Sequence, residues 1–136
     1  MSTTIRRGLR RLIGLTVDDE QPGFATSRMT VTEDHLNGGG ILHGGAIATM
    51  CDSAMGHAVG SVVAAEGQGA ATATLNLTFL NRAELGDELI ANARVQKRGK
   101  RIVIVRATVL RPSDGTEIAE GIATFGTFDR RKRSSK

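Results

Sequence analysis

One acidic side chain sits where acids are rarely found. Asp52 falls in the middle of the run from His43 to Ala64, flanked by Met50, Cys51, Ala54 and Met55, with no basic residue three or four positions to either side. Those are the spacings at which helix side chains meet. Burying a carboxylate without a partner is costly, so such a group is bonded to hydroxyls, shifted in its ionisation, or used in chemistry. A carboxylate in this setting can act as a general base or a nucleophile. Local hydrogen bonding to Thr49 or Ser53 would explain it equally well.

His43-Gly44-Gly45 opens the same run. The first turn of a helix presents free backbone N–H groups at the positive end of its dipole, which can hold an anion or a developing oxyanion. Glycines there let a carbonyl approach the backbone. The alternative is that they only permit tight packing while His43 caps the helix. Cys51 adjoins Asp52, but neighbouring helix positions point about 100° apart and an apolar-flanked mid-helix thiol is an inert core residue. The loop Asn37-Gly38-Gly39-Gly40 lacks the Gly-Lys-Ser/Thr ending of a nucleotide-phosphate loop.

These residues must be positioned by a helix from His43 to about Ala64 that is small and apolar around most of its circumference, and so is buried on most sides. Each glycine in it costs about 1 kcal/mol against alanine, so tertiary packing must hold the helix. A curved sheet wrapped around it does so. Phe24 to Glu33 reads as a strand. Ala71, Ala73, Leu75, Leu77 and Phe79 alternate with Thr72, Thr74, Asn76 and Thr78, which places the first set inward. Leu89 to Val95, Val103 to Val109, and the set Ala119, Gly121, Ala123 and Phe125 continue the pattern across turns at 97–100 and 111–115. Ile90, Ile102, Ile104, Ile118 and Ile122 fall on the outer face, which oligomerisation would cover. Ile5, Leu9, Leu12 and Ile13 recur at helical spacing and predict a short amphipathic helix lying on the body, within an N-terminal arm of residues 1–20. The fold class is α+β, with one domain over residues 1–136 and a basic tail at 130–136.

The net charge of +4 comes from the ends, where nine basic residues sit. Residues 12–129 carry nine basic and fourteen acidic side chains, a net of −5, and the chain has four aromatic residues, all Phe. Nucleic-acid binding is therefore not expected. A single cysteine excludes an intrachain disulfide and a multi-cysteine zinc site. No apolar run reaches the roughly 18 residues of a spanning helix, so membrane insertion is not expected and the cytoplasm is the default compartment.

Asn37 through His43-Gly44-Gly45, Asp52 nine residues after the histidine, Thr-Leu-Asn-Leu-Thr-Phe-Leu at 74–80 and Leu-Gly-Asp at 85–87 together resemble the hotdog thioesterases of the phenylacetyl-coenzyme A type, from about residue 23 to 126. The resemblance implies a hotdog fold and hydrolysis of an acyl-coenzyme A thioester without metal or cofactor. It implies that Asp52 activates water or attacks the thioester carbon, that the Gly44 N–H polarises the carbonyl, and that His43 and Asn37 support that loop or the water. Thr72 stands where some members carry a serine that positions water. Gly45, Arg82, Met55 and Phe79 would contact substrate, and Arg82, Lys97, Arg98, Lys100 or the basic tail would meet the coenzyme A phosphates.

Further implied is a homodimer or homotetramer whose sites span subunits, so that a monomer is inactive. The alternative within the same fold is a non-catalytic acyl-coenzyme A binding module. His57, five residues beyond Asp52, raises a hydratase reading, but the pair lies inside the helix and lacks the Asn-Pro element of hydratases of this fold.

Overall fold

The computed structural model describes residues 2–3 and 8–130. Its centre is helix α2, Gly44–Val63, preceded by a short helix α1, Leu9–Ile13. Seven strands form one sheet: β1 Ser2–Thr3, β2 Thr16–Gln21, β3 Phe24–Thr30, β4 Gln68–Phe79, β5 Glu88–Arg98, β6 Ile102–Arg111 and β7 Thr116–Asp129. Their spatial order is β1-β2-β3-β5-β6-β7-β4, antiparallel throughout. The α+β expectation of a sheet around one long helix is met.

Helix and sheet meet through small side chains. Ala46, Ile47, Met50, Cys51, Ala54, Met55, Ala58, Val59 and Val63 are buried on α2, against Leu89, Ala91 and Ala93 of β5 and Val103, Val105, Ala107 and Val109 of β6. Cross-strand pairs such as Ala91↔Val109 and Val105↔Ala123 put β-branched side chains beside alanines, which lets the helix approach closely. Gly121 of β7 is required sterically: a Cβ there would stand 2.8 Å from the Asn76 carbonyl oxygen.

Four expectations need correction. Thr16–Gln21 forms a strand in the region read as an arm, turned back onto β3 through Pro22-Gly23 with Gly23 at φ +85°. Its Asp-Asp-Glu run hid it, since charged residues are typical of strands near a sheet edge. Helix α1 is only five residues and ends at Gly14, φ +80°; Leu9 and Leu12 are 57% and 83% exposed, so the helix does not lie on the body along its apolar stripe, and Ile5 falls outside the described residues. Ile118 is fully buried, because a bulge opposite Val109 and Leu110 turns it inward beside Ala119. The alternation read along β4 also breaks, at Ala73.

Strand β4 ends the sheet order, with a free edge twelve residues long among the described residues, and most of its side chains are exposed. The neighbouring flank of α2 is partly exposed too, at Ala48, Thr49, Asp52, Ser53, Gly56 and Gly60. A helix small and apolar on all sides is thus enclosed on one side only.

Candidate functional site

The site begins with the break in β4. Thr72 pairs with Phe125 and Thr74 with Thr124, so Ala73 is an extra, bulged residue. A one-residue insertion reverses which face each side chain takes. Beyond the bulge Leu75, Leu77 and Phe79 pair with Ala123, Gly121 and Ala119, the inward set of β7, as expected. Before it, Thr72 takes the inward position that simple alternation assigned to Ala71 and Ala73. The Thr72 hydroxyl consequently donates to Asp52 Oδ1 at 2.5 Å. Neither local candidate is the partner of Asp52: Thr49 donates instead to the Gly45 carbonyl at 2.9 Å. Asp52 is half-buried on the open flank of α2. Cys51, one position away, faces the core, and burial, aided by the charge of Asp52, pushes its thiol up to about 12.

The second cluster lies at the start of α2. His43 is the N-cap and its Nδ1 accepts the Gly45 N–H at 2.7 Å. The Gly44 N–H has no partner among the described residues, and it lies at the positive end of a twenty-residue helix. The Phe79 ring packs beside Gly44, where a Cβ would stand 3.4 Å from Phe79 Cζ. Asn37 Oδ1 accepts from Gly39 N at 2.9 Å and Ile41 N at 3.3 Å, closing the glycine loop. Asn37, Gly44, Phe79 and Arg82 share the wall of one cavity of about 340 Å³.

Several expected site residues are therefore neighbours at the N-terminus of α2, while Asp52 and Thr72 form a separate pair. Eight residues at 1.5 Å each put Gly44 about 12 Å from Asp52 along the helix. No single carbonyl can reach both within one chain. Gly45 is exposed, with its N–H held by His43. Met55 is enclosed in the core, fully buried. Arg98 is bound to Glu66 and Gln68, while Lys97 and Lys100 flank the distant β5–β6 turn. Most of the basic tail lies outside the described residues.

Two supports escaped the sequence reading. His35 is buried, takes the Thr32 N–H on Nδ1 at 2.9 Å and places Nε2 2.5 Å from the Ile13 carbonyl, tying the Asn37 loop to α1. The Thr32-x-x-His35 spacing is that of a capping box with histidine replacing glutamate, and was its one available signal. Asp87, of the Leu-Gly-Asp segment, accepts the Glu84 N–H and an Arg111 N–H, at 2.9 and 3.0 Å. Arg111 also forks onto Asp114, whose carboxyl it holds well below the usual range. Among the described residues no helix is long and apolar enough to cross a membrane.

A sequence model described as the thioesterase superfamily matches residues 39–118. Acyl-coenzyme A thioesterase 13 of Homo sapiens is 30% identical over 119 residues, 87% of this chain and 84% of that protein. Among solved structures, the E. coli PaaI protein from the phenylacetic acid degradation operon superposes with a TM-score of 0.80 at 26% identity, covering 88% of this chain and 83% of that one. A Streptococcus mutans protein bound to acetyl CoA superposes with a TM-score of 0.76 at 26% identity, covering 83% and 87%.

Proposed function

Because the chain belongs to the thioesterase superfamily and has its hotdog fold, we propose that it hydrolyses acyl-coenzyme A thioesters, with Asp52 of one copy working opposite the Gly44 N–H of another. The observation that carries this reading is the Asp52–Thr72 pair: a half-buried carboxylate on the open flank of α2, held by a hydroxyl from the sheet. Relatives named for acyl-coenzyme A hydrolysis and a neighbour bound to acetyl CoA support the substrate class.

The reaction balances with these groups alone. The Thr72 bond occupies Oδ1 and leaves Oδ2 to take a proton from water. The water oxygen adds to the thioester carbon, and the carbonyl oxygen gains charge against the Gly44 N–H and the helix dipole. Collapse breaks the carbon–sulfur bond. Coenzyme A leaves as a thiolate, a good leaving group with a pKa near that of cysteine, roughly 8.5, and recovers the proton from Asp52. His43 and Asn37 act by holding the loop that aims the Gly44 N–H.

The roughly 12 Å between Gly44 and Asp52 along α2 supports a site built by two chains. So does the free edge of β4, beside the same flank. A two-fold dimer across that edge would form two equivalent sites, and a monomer would be inactive. Free-thiol release from acyl-coenzyme A, compared between wild type and Asp52→Asn, tests the reading. A loss of about 10²- to 10⁴-fold with fold and oligomer unchanged is expected. Undiminished turnover would refute it.

A further inference from the structure

Ser27 places a hydroxyl where its surroundings are otherwise apolar. One row of side chains crosses the inner face of the sheet from β2 to β7: Val17, Ser27, Ala91, Val109 and Ala119, each paired with the next. All five are fully buried, and Ser27 alone among them is polar. Alanine would fill its place at nearly the same volume and without the cost of burying a hydroxyl. The hydroxyl reaches across to the central helix, where Ser27 Oγ donates to the Met50 carbonyl at 2.9 Å. Inside a helix that carbonyl also takes the N–H four residues on, so the sheet supplies it with a second donor.

Met50 lies two residues before Asp52. At 1.5 Å and about 100° per residue, positions 50 and 52 stand about 200° apart around α2 and about 3 Å apart along it. Ser27 from β3 and Thr72 from β4 therefore grip the helix from opposite sides at nearly one height. A further bond on the β3 side runs from the Gly23 N–H to Ser61 Oγ at 2.8 Å. It lies eleven residues beyond Met50, which returns it to within about 20° of the same helix face. Two points on one face fix both the rotation and the height of a rod. Packing supplies less of either here, because the buried face of α2 carries Ala46, Ala54 and Ala58 with Met50 and Met55. Such small or pliant side chains interlock weakly with a sheet.

We infer that Ser27 is a positioning residue for Asp52: its bond to Met50 sets the rotation and height of α2 at which the carboxylate meets the Thr72 hydroxyl. The inference deepens the thioesterase reading above and rests on it for its effect on turnover. Its test is a double-mutant cycle of Ser27→Ala and Thr72→Val, read in urea unfolding and in kcat and KM on an acyl-coenzyme A.

Ser27→Ala leaves the Met50 carbonyl its helical partner, so the variant folds, with an unfolding constant raised roughly two- to tenfold. Its kcat should fall about tenfold while KM stays within about twofold, the mark of a misaimed group rather than a lost substrate contact. In the Thr72→Val background, where the carboxylate has already lost its partner, the same change should cost less than about twofold in kcat. In urea the double variant should fall short of the product of the single effects by at least about twofold, although the two hydroxyls share no partner. Where wild type releases thiol, kcat decides: an unchanged kcat in Ser27→Ala, or losses that simply multiply, would overturn the inference and leave the thioesterase reading intact. Absence of thiol release in wild type would strike that reading alone. The urea cycle would then decide, coupling sustaining the placement of α2 by Ser27 and strict additivity overturning it.

Discussion

The Thr72 hydroxyl meets Asp52 Oδ1 at 2.5 Å across the seam between β4 and α2, and it does so because Ala73 is bulged out of the strand. The bulge converts an outward-facing position into one aimed at the carboxylate. It is the local irregularity on which the proposed geometry of Asp52 depends.

Thr72→Val keeps the shape and removes the donor. A hydrogen bond to a charged group is worth about 1.5–3 kcal/mol, so kcat should fall roughly 10- to 100-fold. Thr72→Ser should restore most of the rate. Steady-state kinetics on both variants would separate this positioning role from a purely structural one, because KM should move little.

His43→Ala removes the acceptor for the Gly45 N–H. Loss of an N-cap costs about 1 kcal/mol in stability, which urea denaturation would register. The activity loss should exceed what that destabilisation explains, since the first turn aims the Gly44 N–H. Equal effects on both would make His43 a cap and nothing more.

The central helix was legible almost to the residue, because a stretch of small apolar side chains without a polar face has few ways to be buried. Strands β5 and β6 followed from uninterrupted alternation in Leu89 to Val95 and Val103 to Val109. What escaped depends on pairing rather than on local pattern. The bulges at Ala73 and Ile118 are created by the register with β7 and β6, and alternation read along one strand cannot reveal them. Strand β2 escaped because Asp18, Asp19 and Glu20 leave it little apolar periodicity. Asp52 and Gly44 were recognisable as candidates, but their separation along one helix emerges only once both are placed on α2.

Cys51 should resist alkylation in the native protein. With its thiol pushed up to about 12, almost none is thiolate at neutral pH, and the side chain is wholly buried. Iodoacetamide labelling followed by mass spectrometry should track unfolding in urea. Cys51→Ala should leave kcat within about twofold, because Cys51 faces the core, away from the flank that carries Asp52.

Asp114→Asn tests the Arg111 fork. The Asp114 carboxyl is held down by Arg111, so its contribution to stability is present above the unfolded carboxylate value, near pH 4, and is lost as pH falls through the lower folded value. The Tm gap between wild type and variant should be constant from about pH 5 upward and should close in strong acid. Because the pair is exposed, the gap should be small and should shrink with added salt.

The most direct measurement is subunit complementation between Asp52→Asn and Gly44→Pro. Gly44 is the first residue of α2, where proline is tolerated; it removes the N–H and sets a Cβ 3.4 Å from Phe79 Cζ, an ordinary contact. Each variant alone should be inactive. After mixing in equal amounts under conditions that exchange subunits, half the dimers should be hybrids, each with one intact site of two, giving about a quarter of the wild-type rate. Recovery at that level would mean that carboxylate and oxyanion donor come from different copies. No recovery, with exchange verified by native mass spectrometry, would contradict a site shared between chains.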